Sequence, residues 1–73
     1  MTIYQQGALT RHALEKKAKS VPQFAGFKPP EVFEMSFGWF QTKKKRGYTD
    51  EQAEQFMAGY RAAHELLEQG ERH

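Results

Sequence analysis

The stretch TDEQAEQFMAGYRAAHELLEQG, residues 49–70, carries the clearest periodicity in the chain. Its apolar side chains and one histidine recur three and four positions apart, which is typical of one face of an amphipathic helix. This face consists of Ala53, Phe56, Met57, Tyr60, Ala63, His64 and Leu67. Thr49 and Gln52 match a capping box at the start, and Gly70 suits the end. We therefore predict a helix over about residues 50–69, in which Gly59 leaves room for a neighbouring backbone.

An aromatic helix is predicted immediately upstream, over about residues 30–45. Pro30 suits the first helical position, and Gly47 suits a left-handed cap at the other end. Apolar side chains surround almost the whole helix: Val32, Phe33, Met35, Phe37, Trp39 and Phe40. A tight turn at Gly47 joins it to the next helix as an αα-hairpin. Since one hairpin partner cannot cover so many rings, either this helix is central in the core or part of it is exposed for binding.

The N-terminal part of the chain has weaker patterns. We predict a shorter helix over about residues 8–19, whose thin apolar stripe requires docking to the rest of the chain. Residues 1–7 are expected to form a mobile or strand-forming arm. The connector over residues 20–30 contains prolines and a glycine that exclude a continuous helix. Its Phe24 and Phe27 are predicted to fill the core beneath the loop, and the alternative is an exposed aromatic contact for a partner.

Together these elements predict one small all-α domain of three helices over residues 1–73. The chain has no cysteine, which excludes a disulfide framework and a thiolate metal site. No apolar run approaches the roughly 20 residues of a membrane span, and no signal-peptide core follows Met1. We expect a cytoplasmic protein.

Charge is distributed unevenly along the chain. Residues 1–49 hold nine Lys/Arg and three Asp/Glu, whereas residues 50–73 hold two and six, and the net charge is +2. Such asymmetry orients a protein toward an anionic partner.

The run KKKR, residues 43–46, is the densest cationic segment. One interpretation is structural, because cations stabilise the C-terminal end of a helix and would face Asp50, Glu51 and Glu54. Four consecutive side chains fan over most of a helix, so some must point into solvent. The other interpretation is contact with phosphates or with an acidic protein surface, beside exposed aromatic rings. The candidate partner-binding residues are Lys43, Lys44, Lys45, Arg46, Trp39 and Phe40, with Lys16, Lys17 and Lys19 as a second patch.

No catalytic constellation can be assembled from the sequence. His12, His64 and His73 lack the spacing of a helical metal pair. His64 lies on the inner face of the last predicted helix, and we expect it to be a packing residue. No glycine-rich phosphate loop is present. We therefore expect no enzyme activity, no cofactor and no metal site.

The segment FMAGYRAAHE, residues 56–65, resembles the second helix of the ribosome modulation factor family. The matching positions are Phe56, Ala58, Gly59, Tyr60 and Arg61. This resemblance implies a basic two-helix protein that docks on the ribosome and silences it. In length and composition alone, the chain also resembles small bacteriophage-encoded regulators that dock on host RNA polymerase.

The leading hypothesis is a non-enzymatic regulator that binds a large host protein or nucleoprotein machine, with bacterial RNA polymerase first. The first alternative is a ribosome- or RNA-binding modulator that contacts nucleic acid through the basic patch. The second alternative is a self-associating structural protein, which would use Phe37, Phe40, Phe56 and Tyr60 to close a four-helix interface.

Overall fold

The structure is a computed structural model that describes residues 1–71, and Arg72 and His73 lie outside the described part. Its elements are α1 (Ile3–Ser20), a 3₁₀ helix (Pro22–Phe27), α2 (Pro30–Glu34), α3 (Phe37–Arg46) and α4 (Asp50–Glu71). No strand is present over residues 1–71, so the predicted all-α fold is confirmed. Within the same residues, none of the helices has both the length and the apolar character that a membrane crossing requires.

Helix α1 begins earlier than the apolar pattern indicates. The Thr2 hydroxyl oxygen accepts the Gln5 backbone N–H at 3.1 Å, and the Gln5 side-chain oxygen accepts the Thr2 N–H at 2.9 Å. This capping box satisfies donors that a helix start otherwise leaves unpaired. The expectation of a mobile or strand-forming arm over residues 1–7 is therefore wrong, because the chain is helical from Ile3 onward.

The aromatic helix predicted over residues 30–45 is interrupted at Ser36. The Ser36 hydroxyl donates to the Phe33 carbonyl oxygen at 2.6 Å and accepts the Trp39 N–H at 3.1 Å. Serine side chains compete with the backbone for such bonds, and they are strong helix N-caps. One hydroxyl thus closes α2 and caps α3, so two short helices replace the single predicted one.

The turn between α3 and α4 forms as predicted. Gly47 has φ 65° and ψ 35°, the left-handed conformation that glycine adopts without strain. The Thr49 hydroxyl accepts the Gln52 N–H at 3.2 Å, and the Gln52 side-chain oxygen accepts the Thr49 N–H at 3.0 Å. Helices α3 and α4 therefore follow one another across a short turn, and Trp39 joins them by packing on Phe56.

The principal helix contact joins α1 to α4. A β-carbon on Gly7 would lie 1.9 Å from the Phe56 carbonyl oxygen. A β-carbon on Gly59 would likewise lie 1.9 Å from the Tyr4 carbonyl oxygen. The two backbones therefore touch at this crossing. The prediction that Gly59 admits a neighbouring backbone is confirmed, and its partner is α1.

Aromatic rings form most of the core. The fully buried large apolar side chains are Trp39, Phe56, Met57 and Tyr60. Trp39 stacks on Phe56 and Phe33 stacks on Tyr60, with ring centroids 4.4 Å apart in both pairs. Such rings bury large areas and add favourable ring–ring contacts. The inner face predicted for α4 is therefore the face that builds the core.

The connector before α2 lies at the surface. Phe24 is half-buried and Phe27 is 42% exposed, so the prediction that both rings fill the core is wrong. The connector is held instead through its backbone carbonyls. The Tyr60 hydroxyl lies 3.1 Å from the Phe27 carbonyl oxygen and 2.7 Å from that of Lys28. Phe27 is thereby left accessible, as in the alternative of an exposed aromatic contact.

Candidate protein-binding surface

The basic run at the end of α3 separates into two pairs of side chains. The Lys43 Nζ lies 5.6 Å from the centroid of the Trp39 ring, where the negative face of the ring attracts a cation. The Arg46 Nη1 donates to the Gln6 Oε1 and to the Tyr48 hydroxyl oxygen, both at 3.0 Å. Lys43 and Arg46 therefore have partners within the protein, and Arg46 ties α3 to α1.

Lys44 and Lys45 form the other pair, and both are exposed. Among the side chains that the structure describes, neither has an ion-pair or cation–π partner. Over the same side chains, no ion pair connects the run to Asp50, Glu51 or Glu54. The helix dipole accounts for cations at this helix end. Without partners among the described side chains, Lys44 and Lys45 are available to a partner protein.

Trp39 lies in the core and is only 1% exposed. Its ring packs against those of Phe33, Tyr48 and Phe56. Because α3 starts after the Ser36 cap, Trp39 is the third helical residue and faces inward. The expectation that Trp39 contacts a partner is therefore wrong.

Three large apolar side chains near the start of α3 are exposed. Met35 is 87% exposed, Phe37 is 73% exposed and Phe40 is 55% exposed. Phe37, Phe40 and Lys44 are three and four positions apart, so they lie on one side of α3. We term Met35, Phe37, Phe40, Lys44 and Lys45 the aromatic–basic surface. The sequence indicated Phe40 and the lysines for partner binding and Phe37 for self-association. Met35 was missed, since its position depends on the break at Ser36.

Two of the four residues that the self-association hypothesis requires are buried. Phe56 and Tyr60 are enclosed in the core of their own chain, so they are not available for a four-helix interface. Phe37 and Phe40 are accessible, and they belong to the aromatic–basic surface.

A second group of cations lies in the last turns of α1. Lys16, Lys17 and Lys19 are all exposed. The Lys17 Nζ lies 5.6 Å from the centroid of the Phe24 ring. Lys17 therefore adjoins the aromatic connector, which follows α1 directly in the chain.

An apolar groove opens between α1, the connector, α2 and α3. It is lined by Leu14, Phe24, Phe27, Phe33, Ser36, Phe37 and Gly38, and its volume is about 260 Å³. We term this set the apolar groove. None of the lining residues carries a charge. Phe37 belongs both to the groove and to the aromatic–basic surface, so the two features are continuous.

A buried polar cluster connects α1, α4 and the connector. Arg11 is fully buried, and its Nε donates to the His64 Nδ1 at 3.1 Å. Its Nη1 donates to the Glu15 Oε2 at 3.0 Å, and the same oxygen lies 3.1 Å from the Lys28 Nζ. Buried charges are costly unless paired, so these contacts fix the guanidinium. The prediction that His64 is a packing residue is confirmed, whereas Arg11 and Glu15 were missed.

Tyr60 extends this cluster toward the connector. Burial raises the pKa of Tyr60 from 10.0 to about 12, and the positive charge of Arg11 opposes this rise. The hydroxyl therefore keeps its proton into the alkaline range and serves as a donor to the connector carbonyls.

Metal-binding side chains are dispersed in the structure. Within the described part of the chain, no three His, Asp or Glu side chains are placed to hold a metal ion. His12 is exposed on α1, His64 is occupied by Arg11, and His73 lies outside the described residues.

Comparison with known proteins gave no significant match to a family model, to a curated protein or to a solved structure. The short segment that resembles ribosome modulation factor lies on α4. Its Phe56 and Tyr60 are core residues, and its Gly59 lies at the crossing with α1. These matched positions therefore serve packing in this chain.

Proposed function

We propose that the protein is a non-enzymatic regulator that binds a large protein partner in the bacterial cytoplasm, with bacterial RNA polymerase as the first candidate. The aromatic–basic surface carries this proposal, because Phe37 and Phe40 are exposed on the same side of α3 as the exposed Lys44, and Lys45 is exposed next to it in the chain. Protein interfaces commonly combine an aromatic centre with a polar rim. Contiguous exposed apolar groups on a small domain are a mark of such sites.

The driving force for binding follows from the exposed apolar area. Covering a large apolar side chain contributes roughly 1.5–3 kcal/mol. Phe37 and Phe40 lie three positions apart on one side of α3, so one partner surface covers both. Lys44 and Lys45 add electrostatic attraction to an acidic partner, which mainly accelerates association and selects among partners.

The choice of RNA polymerase rests on the likeness of the chain, in length and composition, to small phage regulators. The test is binding of the purified protein to purified bacterial RNA polymerase, measured by interferometry. We expect Phe40→Ala and the double variant Lys44→Glu/Lys45→Glu to weaken binding by at least about tenfold. Their helical circular dichroism is expected to be unchanged, since these side chains are exposed.

Leu66→Ala is the matched control, because Leu66 is 67% exposed and lies on α4, which carries no residue of this surface. It is expected to retain full affinity. If all variants bind as the unchanged protein does, the aromatic–basic surface is not the binding site. If the unchanged protein does not bind, RNA polymerase is not the partner.

A ribosome- or RNA-binding role is the second candidate, favoured by the exposed lysines of α1 and α3. These are Lys16, Lys17, Lys19, Lys44 and Lys45. Phosphate contacts release counterions, so the affinity for naked RNA would fall steeply with salt. Titration of ribosomal RNA at several salt concentrations tests this role. A flat salt dependence, or affinity unaffected by charge reversal at Lys44 and Lys45, would exclude it.

A further inference from the structure

We propose that the apolar groove binds an acidic amphipathic helix of the partner protein, with large apolar side chains of that helix inserted between α1, the connector and α3. This inference rests on the proposed protein-binding function and specifies the chemistry of the partner. Helices that dock in grooves insert apolar side chains spaced three and four positions apart, while their polar face stays in solvent.

The groove selects for an apolar occupant. Its lining is uncharged, and Ser36 supplies its one side-chain hydroxyl. That hydroxyl already donates to the Phe33 carbonyl oxygen and accepts the Trp39 N–H. The lining side chains therefore offer no hydrogen-bonding group that is unoccupied. A polar occupant would lose its hydration without compensation, whereas an apolar one gains free energy by leaving water.

The size of the groove favours side chains over a whole small molecule. Its volume is about 260 Å³. Pockets for small-molecule ligands usually enclose about 300–1,000 Å³. The groove is also open at its rim, where Phe27 and Phe37 are exposed to solvent. An open groove of this size suits side chains that are presented by a larger partner.

The charges around the groove favour an acidic partner. Lys17 lies against Phe24 at one wall, with Lys16 and Lys19 on the same helix end. Lys44 follows Phe37 by seven positions on α3, so it lies on the same side of that helix. These exposed cations are placed to meet carboxylates on the polar face of the docked helix.

The acids of the same elements are mostly engaged within the protein. Glu15 is buried and paired with Arg11 and Lys28. Glu34 pairs with Arg61 at 2.9 Å. Glu31 is exposed, but it is outnumbered by the exposed lysines of α1 and α3. A second copy docked groove to groove would bring the same lysines face to face, and for this reason we assign the groove to an acidic partner.

The inference is tested with a fluorescent peptide of about four helical turns that carries leucine and phenylalanine at i, i+3, i+4 and i+7 and glutamate at the other positions. A matched peptide replaces every glutamate by lysine. We expect the acidic peptide to bind at least about tenfold more tightly than the basic one, by fluorescence anisotropy. Phe37→Glu and Phe27→Ser are expected to weaken its binding by a similar factor. Leu66→Glu, an equally exposed apolar position outside the groove, is expected to have no effect.

Equal binding of the two peptides would overturn the inference, as would binding that is unaffected by Phe37→Glu and Phe27→Ser. Sedimentation of the unchanged protein provides the arm for self-association. A concentration-dependent dimer that Phe37→Glu dissociates would assign the groove to a second copy and would also overturn the inference.

The two proposals fail in different ways. If RNA polymerase binding depends on Lys44 and Lys45 but not on Phe27, and the acidic peptide does not bind, the groove inference is wrong and the proposed function stands. If the acidic peptide binds in the groove but RNA polymerase does not bind at all, the groove inference stands and the choice of partner is wrong.

Discussion

Gly7 and Gly59 occupy reciprocal positions in the crossing of α1 and α4. Each lies against a carbonyl oxygen of the other helix, and an added β-carbon at either position would lie 1.9 Å from that oxygen. The atoms in conflict belong to the backbone, so no side-chain rotation can relieve the overlap. The separation of α1 and α4 is therefore set by the absence of a side chain at both positions.

Gly7→Ala and Gly59→Ala are each expected to lower the free energy of unfolding by more than about 2 kcal/mol, because overpacking forces the helices apart. Gly38→Ala is the matched control, since its β-carbon would lie 4.0 Å from the Ser36 hydroxyl oxygen. That change is expected to stabilise by up to about 1 kcal/mol through helix propensity. Urea unfolding followed by circular dichroism measures all three. Equal stability of the two classes would contradict the crossing.

Trp39 and Phe40 are adjacent in sequence but are expected to respond to mutation in opposite ways. Trp39→Ala removes a core ring and should destabilise by about 3–5 kcal/mol. Phe40→Ala removes an exposed ring and should change stability by less than about 0.5 kcal/mol. Thermal unfolding distinguishes them. A folded Trp39→Ala variant with unchanged stability would place this ring at the surface after all.

Local signals in the sequence were sufficient to predict α4 and the turn before it. The pattern of Thr49 and Gln52 defines a helix start by itself, and Gly47 defines the preceding helix end. Both depend on hydrogen bonds between near neighbours. The Thr2–Gln5 capping box is of the same kind and was detectable from its spacing, although the weak apolar pattern of this segment favoured an arm.

The orientation of the aromatic segment required information that local patterns do not contain. The apolar residues of this segment fit a continuous helix over residues 30–45 as well as two helices separated at Ser36. The break changes which rings face inward, so Trp39 is buried while Phe37 and Phe40 are exposed. Because apolar side chains project from nearly all sides of this helical segment, their periodicity alone does not indicate which side is buried.

The contact between Arg11 and His64 joins residues that are 53 positions apart, and no local pattern predicts it. His64→Leu leaves the buried Nε donor of Arg11 unpaired, so we expect a loss of about 1–3 kcal/mol. His64→Gln keeps an oxygen acceptor and is expected to retain part of this stability. Urea unfolding at neutral pH measures both variants.

A double variant separates the contact from general packing effects. Arg11→Met combined with His64→Leu removes the donor together with its acceptor. The Arg11 Nη2 is already without a hydrogen-bond partner among the described residues. Replacing the arginine by an apolar side chain therefore removes the desolvation cost of this unpaired group as well. We therefore expect the double variant to be less destabilised than the sum of the single variants. Strict additivity would contradict a direct interaction.

Tyr60 gives the fold a specific sensitivity to alkali. Its pKa is raised from 10.0 to about 12 by burial, so the folded chain keeps the hydroxyl proton at pH values where the unfolded chain releases it. The associated stability is fully present below about pH 10 and is lost progressively as the pH rises toward about 12. A shift of this size corresponds to at most about 2–3 kcal/mol.

Tyr60→Phe removes this ionisation and also the hydroxyl that holds the connector carbonyls. At neutral pH we expect this variant to be less stable by about 1 kcal/mol. Its stability should fall less steeply above about pH 10, so the two curves converge in alkali. Tyr4→Phe, at an exposed tyrosine, is the matched control for removal of a tyrosine hydroxyl. Urea unfolding across the alkaline range measures the three curves. A Tyr60→Phe curve that stays parallel to the others would show that the Tyr60 proton is not linked to folding.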